Sequence, residues 1–344
     1  MNSRKVIADR LNFEFSKRNY SSHDVAKLCD IDEILVDNYL NAKAELKVSE
    51  LKEICSCLNF NFLYLLKSNY QPTSVSFRNI DSEAKTFASG IENAFHIVKE
   101  LIPNINESKI KPQKNYPTEW LELIVIARNH VNAVKKEYNN SLSWACTMLN
   151  VTFFTSKSDI DVDGFYLTDN SKNAIYINTN YPPCRIRFTI AHELSHLLFD
   201  HDAAVSSDNL KFNPYSKNID KKDIPEFLAT KFAQFFLIPF EKANRWAMQW
   251  PNNIDLDDVQ RTIFENKTSV DVAINALYDL LYISGKTEQY KNIKEKLSHL
   301  YSSSDDDILT LLKRNKQRFS NIISDNKDSF SESVYSRIES ELEL

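Results

Sequence analysis

The sequence predicts a mostly helical α+β protein in which one small β-sheet interrupts a long series of helices. Apolar residues recur at helical spacing through most of the chain, for example at Ile7, Leu11 and Phe15. Short β-branched or aromatic runs, separated by Asp, Asn and Ser, cluster between residues 151 and 177. The length of 344 residues exceeds what one core usually fills, so we expect two or three domains.

Residues 1–70 are predicted to form an all-helical first domain. Its four or five short helices suit a compact module of the DNA-binding type. Ser22 is the expected N-cap of the second helix. The later helices are predicted from apolar positions at Val25, Ala26, Leu28, Ile34, Leu35, Tyr39, Leu51, Ile54, Cys55 and Leu58.

Residues 71–117 are predicted to connect this module to the rest of the chain. One amphipathic helix is expected over residues 81–101, and a polar linker with three prolines runs from Pro103 to Pro117. A long helix should then start near Thr118. The three strands are expected at 151–154, 164–167 and 174–177, and helices follow to the end of the chain.

Composition excludes several classes of function. The formal net charge of −5 provides no overall attraction to nucleic acid, and three glycines are too few for Gly-rich phosphate loops. Five scattered cysteines without a CxxC pair argue against a cysteine zinc site and against a disulfide framework. The sequence shows no apolar signal core and no membrane-length apolar run, so we expect a cytoplasmic protein.

The segment His192-Glu193-Leu194-Ser195-His196 is the most informative in the chain. Side chains four residues apart lie on one face of a helix, so both imidazoles can reach one metal ion. Glu193 points to the neighbouring edge, where it can take a proton from a water that the metal activates. The alternative is a pair of packed or surface histidines. Because the surrounding helix is strongly apolar, its polar groups need partners, which favours the metal site.

A third protein ligand is required, and spacing alone leaves its identity open. His201 lies nine residues after His192, on the opposite side of the same helix, which favours a helix-end histidine or a supporting role near the metal. Glu226 opens a second apolar helix and can complete a His2Glu site with one open position. Thr230 is one turn further on the same face. The competing carboxylates are Asp220, Asp223 and Glu241.

These motifs resemble the ImmA/IrrE family of metallopeptidases. The segment from Arg187 to Leu198 is similar to the signature helix of the family, and the segment from Glu226 to Pro239 to its second motif. Upstream, residues 163–165 and 174–178 resemble its strand pair. The resemblance covers residues 118–283, which we expect to form the metallopeptidase domain, and leaves residues 284–344 as a helical C-terminal extension.

The resemblance implies a gluzincin-like fold with Zn²⁺ on His192, His196 and Glu226, and with Glu193 as the catalytic base. Two positions depart from the family: Ser195 replaces the usual glycine, and Thr230 replaces the usual asparagine that supports the ligands. Arg187, at the entrance of the helix, is a candidate for stabilising the oxyanion. The alternative is a structural arginine in a salt bridge.

The family also implies a regulatory endopeptidase that cleaves a partner protein, a transcriptional repressor, in a stress-response, phage-related or mobile-element context. The sequence leaves two alternatives open. One is a DNA-binding transcriptional regulator, and the other is an antitoxin-like binding protein; in both, the metallopeptidase-like domain is not catalytic. The intact Glu193 favours the enzyme. The sequence indicates no membrane partner and leaves a homodimer open.

Residues 1–70 resemble a Cro/repressor-type (XRE) helix-turn-helix through an apolar pattern that ends in Leu58, Leu65 and Leu66. The expected recognition helix carries Asp32, Glu33 and Asp37, which DNA phosphates repel. Ten basic and ten acidic side chains in these residues leave no electrostatic footprint for DNA. We therefore assign no DNA-binding residues, and protein docking or dimerisation remains the alternative to DNA binding.

Overall fold

A computed structural model describes residues 5, 7–8, 11–12, 15, 20–44, 47–57, 82–106, 108, 110, 115–169, 172–199, 218–284, 292–304 and 307–342. These residues form a mostly helical α+β fold with one three-stranded sheet, which confirms the predicted fold class. No helix in these ranges is long and apolar enough to cross a membrane.

The N-terminal module contains three described helices around its own apolar core. They are α1 (Ser22–Cys29), α2 (Glu33–Leu40) and α3 (Val48–Cys57). The core is formed by Leu11, Phe15, Val25, Ala26, Cys29, Val36, Tyr39, Leu51, Ile54 and Cys55. Leu58, Leu65 and Leu66, which also supported the helix-turn-helix prediction, lie outside the described residues.

Polar side chains set the ends of the first two helices. Ser21, and not the predicted Ser22, is the N-cap of α1, because the Ser21 hydroxyl accepts a hydrogen bond from the Asp24 backbone amide. The Asp24 carboxylate accepts in return from the Ser21 backbone amide, which completes a capping box. Asp30 ends α1 in the left-handed conformation, and Asp32 caps α2 through the backbone amide of Ile34.

The larger part of the chain shares one apolar core, which runs from Ala84 to Leu342. The predicted connecting helix is present as α4 (Ser82–Val98), followed by one 3-10 turn. The helices before the sheet are α5 (Trp120–Glu137) and α6 (Leu142–Met148). After the sheet come α7 (Pro183–Phe199), α8 (Ile224–Leu237), α9 (Phe240–Gln249), α10 (Leu256–Glu265), α11 (Val270–Ile283), α12 (Ile293–Leu297), α13 (Asp307–Asp325) and α14 (Glu332–Leu342).

The sheet has the spatial order β1-β3-β2, with β1 (Thr152–Ser156), β2 (Gly164–Asp169) and β3 (Lys172–Asn178). β2 and β3 form an antiparallel hairpin, while β1 pairs with β3 in parallel. All three strands lie where the sequence predicts them. Their near-continuous burial indicates that helices cover both faces of the sheet.

Helix α7 approaches the hairpin closely at Gly164. A Cβ atom at this position would lie 2.6 Å from Cγ2 of Thr189 and 2.7 Å from the carbonyl oxygen of Tyr176. Only glycine leaves room for that contact. Residue 164 therefore fixes the distance between the sheet and the helix that carries the two histidines.

The C-terminal helices pack against the opposite margin of the sheet, along β1. The Asn315 side chain on α13 accepts from the backbone amide of Phe153 and donates to the carbonyl oxygen of Val151, at 3.0 and 2.8 Å. Phe319 contacts Phe154 with ring centroids 5.3 Å apart. The C-terminal residues thus complete an edge of the sheet.

This core crosses the borders predicted at residues 117 and 283. Apolar residues of α4, α13 and α14 belong to the same cluster as the sheet and α7. The backbone amide of Asn106, within the predicted linker, donates to the Leu149 carbonyl oxygen at 3.0 Å. The division into 1–70, 71–117, 118–283 and 284–344 stays a prediction.

Candidate metal centre

Helix α7 is buried on nearly every side, which is unusual for a segment with this many ionisable groups. From Thr189 to Phe199 every residue is buried, including His192, Glu193 and His196. Apolar residues of α7 pack against the sheet on one side and α8 on the other. Because a buried polar group requires a partner, these three side chains need a defined arrangement.

The two histidines and Glu226 converge on one point. Nε2 of His192 lies 3.1 Å from Nε2 of His196. Nε2 of His192 is 3.2 Å from Oε2 of Glu226, and Nε2 of His196 is 3.2 Å from Oε1 of Glu226. All three residues are buried, at 5% exposure or less. They are the group within the described ranges whose ligand atoms could hold a metal ion.

Glu226 reaches this point from the first turn of α8. Pro225 precedes it at a position where a helix does not need the missing N–H. Burial by itself would raise the pKa of Glu226, but hydrogen bonds with His192 and His196 outweigh it and lower the pKa to about 2. The carboxylate is therefore ionised over the physiological pH range and available as a ligand.

The donor set and its spacing fit a tetrahedral metal ion. Zinc in proteins is bound by histidine nitrogen and carboxylate oxygen at about 2.0–2.1 Å, so donors at two corners of a tetrahedron lie about 3.3 Å apart. The observed separations of 3.1 and 3.2 Å are close to that value. Two imidazoles and one carboxylate also leave a fourth position for water or substrate.

Glu193 is fully buried beside the first histidine of the pair. Its charge acts on the hydroxyl of Tyr166 in β2, which indicates that the carboxylate lies near the hairpin. Burial is the main cause that raises the pKa of the Tyr166 hydroxyl, and the charge of Glu193 raises it further. A carboxylate at this place is suited to accept and return a proton next to the three converging side chains.

Residues 146–247 match the family model Peptidase_M78, the IrrE N-terminal-like domain. The matched segment contains the sheet, α7 and α8, and so includes His192, Glu193, His196 and Glu226. The match supports the resemblance to the ImmA/IrrE family and to a metallopeptidase. No curated protein matches the chain. The N-terminal helix-turn-helix stays a prediction.

Of the other site residues predicted within residues 146–247, the structure describes Arg187 and Thr230. Arg187 of α7 forms an ion pair with Asp307, the first residue of α13, and Lys267 contacts the same carboxylate at 3.0 Å. This pairing favours the structural alternative for Arg187. Thr230 is half-buried on α8, one turn after Glu226. His201 lies outside the described residues.

The competing carboxylates have other surroundings. Asp220 is exposed. Asp223 is buried and lies just before α8. Oε1 of Glu241 accepts from Nη2 of Arg128 at 2.7 Å, and the Glu241 side chain is 64% exposed. None of the three is in the group that converges with His192 and His196.

A buried ion pair that was not predicted from the sequence ties α8 to α11. Nζ of Lys231 lies 2.8 and 2.6 Å from the two carboxylate oxygens of Asp279, and Gln234 donates to the same carboxylate. Lys231 is 4% exposed and Asp279 is fully buried. A lysine inside the apolar helix α8 was the available signal, because buried lysines are rare without a partner.

Proposed function

We propose that the chain is a zinc-dependent endopeptidase that cleaves a partner protein. The observation that carries this proposal is the convergence of His192, His196 and Glu226 within a buried site. The intact Glu193, next to the first ligand, supports catalysis over a purely structural metal site. The match to a peptidase family over the same residues points in the same direction.

Zinc is the metal that suits this donor set. Two imidazoles and one carboxylate, with a fourth position left for a water, are typical of hydrolytic zinc sites. Harder cations such as Mg²⁺ and Ca²⁺ prefer oxygen ligands, and iron oxygenases keep more than one position open on a two-histidine, one-carboxylate set. The three donor atoms lie only 3.1 and 3.2 Å apart, and this close spacing favours a four-coordinate ion.

The roles of the residues follow from their chemistry. His192, His196 and Glu226 would hold the ion, which when bound supplies Lewis acidity that activates water and polarises a carbonyl group. Glu193 takes the proton of the attacking water and then delivers it to the departing amine nitrogen. The apolar surroundings of α7 exclude bulk water, which strengthens each of these electrostatic interactions.

We further propose that the partner is a transcriptional repressor, cleaved in a stress-response, phage-related or mobile-element context. The basis is the resemblance of α7 and α8 to the ImmA/IrrE motifs, together with a helical module of the DNA-binding type at the N-terminus. A protease that carries such a module is more easily explained as an enzyme that acts on a regulator than as a digestive enzyme.

The test compares the purified chain with its Glu193→Gln and His196→Ala variants. Each is analysed for metal and incubated with an extract of the source cells, and new protein N-termini are identified by mass spectrometry. We expect zinc in the wild type and in Glu193→Gln, and new N-termini only with the wild type. The proposal is wrong if Glu193→Gln produces the same N-termini or if the wild type binds no zinc after reconstitution.

A further inference from the structure

Helix α5 forms one wall of a cavity that lies away from the metal ligands. The residues that line this α5 cavity include Arg128, Val131, Lys135, Phe235, Phe240 and Glu241. Its volume of about 380 Å³ lies within the range of ~300–1,000 Å³ that is typical of small-molecule sites. Phe235 follows Glu226 on α8 by nine residues, which is roughly 13–14 Å along the helix. The cavity is therefore separate from the metal centre and does not depend on the proposed function.

Part of the lining is apolar and aromatic. Val131 of α5 and Phe235 of α8 are buried, at 4% and 1% exposure. Pro239 and Phe240, at the start of α9, line the same cavity. Apolar walls with a few polar groups are the usual lining of a site for a small organic ligand. Because two phenylalanine rings are among these walls, an aromatic body on the ligand gains ring contacts as well as burial.

Two cationic side chains of α5 line the cavity together with these apolar walls. Arg128 and Lys135 are seven residues apart, so they lie on one face of the helix, two turns from each other. Asn132, on the same face, and Asn140, just after α5, are exposed lining residues that carry amide donors. The polar part of the lining is therefore rich in hydrogen-bond donors, which suits an acceptor group on a ligand.

One carboxylate faces the two cations, so their charges are only partly balanced. Among the described residues that line the cavity, Glu241 is the only one with a carboxylate. Its Oε1 accepts from Nη2 of Arg128 at 2.7 Å. Nζ of Lys135 forms no ion pair with any residue in the described ranges, and it lies 5.1 Å from the ring centroid of Phe236. Two positive charges and one negative charge leave the lining with one excess positive charge.

Both cations retain capacity for a further anion. Burial lowers the pKa of Lys135 from 10.5 to about 8, although the charge of Glu241 raises it in part. Glu241 therefore does not fully offset the cost of burying the ammonium group, and a second anion beside Nζ would reduce that cost. The guanidinium of Arg128 has five N–H groups. Within the described part of the chain, its Nε is buried without a hydrogen-bond partner.

We propose that the α5 cavity binds a small aromatic carboxylate, with the carboxylate group at Arg128 and Lys135 and the ring against Phe235 and Phe240. One excess positive charge matches a monoanion, whereas a phosphate dianion would also meet the charge of Glu241. The planar guanidinium of arginine matches the geometry of a carboxylate. The alternative is that the ion pair between Arg128 and Glu241 only ties α5 to α9 and that Lys135 stays hydrated.

The test uses the full chain and three probes in isothermal titration calorimetry at pH 7, below the pKa of Lys135. The probes are benzoate, its neutral isostere benzamide, and phenyl phosphate. Benzoate should bind with a Kd of about 1 mM or tighter, as suits so small a ligand. Benzamide, which lacks the charge, should bind about tenfold more weakly. No binding of benzoate, or tighter binding of either other probe, would overturn the proposal.

Charge variants then locate the bound anion. Lys135→Met should weaken benzoate binding about fivefold to tenfold, and Lys136→Met, which changes the exposed neighbour, should keep the wild-type affinity. Glu241→Gln keeps an acceptor for Arg128 but removes a negative charge from the lining, so it should tighten binding about threefold to fivefold. A purely structural role for these residues predicts no such gain. Equal affinities in Lys135→Met and Lys136→Met would place benzoate elsewhere and refute the site.

A labelling experiment on the wild-type chain gives a second readout that needs no variant. Limiting N-hydroxysuccinimidyl acetate acetylates neutral lysine amines, and peptide mass spectrometry compares the rates at Lys135 and Lys136. A carboxylate bound at Nζ of Lys135 favours the charged ammonium form and covers the amine, so benzoate should slow acetylation at Lys135 alone. Equal rates with and without benzoate, or equal slowing at both lysines, would contradict the site. Circular dichroism verifies that each variant used in calorimetry remains folded.

Discussion

Two histidine–glutamate pairs in this protein have similar distances and opposite surroundings. In the N-terminal module, His23 lies 2.9 Å from Glu33, with side chains that are 71% and 47% exposed. Between α7 and α8, His192 lies 3.2 Å from Glu226, with side chains that are 2% and 5% exposed. Water solvates the first pair when it separates, but the second has only protein around it. Burial, and not distance, indicates which pair has a fixed geometry suited to a metal.

The largest expected effect concerns metal binding by these two pairs. His196→Ala removes one of three ligands and should reduce zinc from about one ion per chain to near zero. His23→Ala removes an exposed imidazole and should leave the zinc content unchanged. Elemental mass spectrometry of the two variants, prepared side by side, measures both. Equal zinc in both variants would place the metal elsewhere in the chain.

A smaller effect is expected for ion pairs without a metal role. Asp279→Ala leaves Lys231 buried without its carboxylate and should lower the free energy of unfolding by about 3–5 kcal/mol. Glu241→Ala breaks the exposed pair with Arg128, at 2.7 Å, and should cost less than about 1 kcal/mol. Urea denaturation of the two variants provides the comparison. Similar losses for both would show that burial does not control the strength of these pairs.

Asp279→Ala also tests whether α8 depends on α11 for its position. If the ion pair between Lys231 and Asp279 holds Glu226 in position, zinc affinity should fall in this variant while the chain is still folded. A competition titration with a chelator, in the absence of denaturant, measures that affinity. Unchanged affinity would show that Lys231 and Asp279 stabilise the fold without positioning the ligand.

The smallest expected effect is a pH dependence at Lys135, a half-buried side chain on α5. Burial lowers the pKa of Lys135 from its ordinary value of 10.5 to about 8, although the charge of Glu241 raises it in part. Between pH 8 and 10.5 the unfolded chain binds the proton that the folded chain has lost, so this group makes stability rise with pH. Partial exposure reduces its contribution to about 1 kcal/mol.

The variant Lys135→Met should remove this rise, and Lys136→Met is the matched control because Lys136 is the exposed neighbour. Urea midpoints are measured for both variants and for the wild type at several pH values between 7.5 and 10.5. A slope for Lys135→Met that equals the wild-type slope would contradict the assignment to this lysine.

Local patterns predicted much of this architecture. The short β-branched and aromatic runs between residues 151 and 177 became the three strands, and helical spacing gave α4, α5, α7 and α8. The four-residue spacing of His192 and His196 was enough to place both rings on one side of a helix. Such features depend on neighbours in the sequence, where periodicity is visible. The N-cap of α1 differs by one residue, because Ser21 and Ser22 carry the same capping group.

Long-range partners could not be predicted in the same way. Spacing left Asp220, Asp223 and Glu241 in competition with Glu226, and the family resemblance strengthened the case for Glu226 before the structure placed it beside the histidines. The pairs Lys231–Asp279 and Phe153–Asn315 are separated by 48 and 162 residues. No local periodicity records such a contact, because it arises only when distant elements pack.

Asn315 also affects how the protein behaves among its own copies. The margin of a sheet offers peptide groups to which a second chain can add a strand, a common route to aggregation. A carboxamide has the same donor and acceptor as a peptide group, so Asn315 takes the place that an invading strand would need. Shortened forms that end before α13 should therefore precipitate by strand addition at β1, even where the metal ligands are intact.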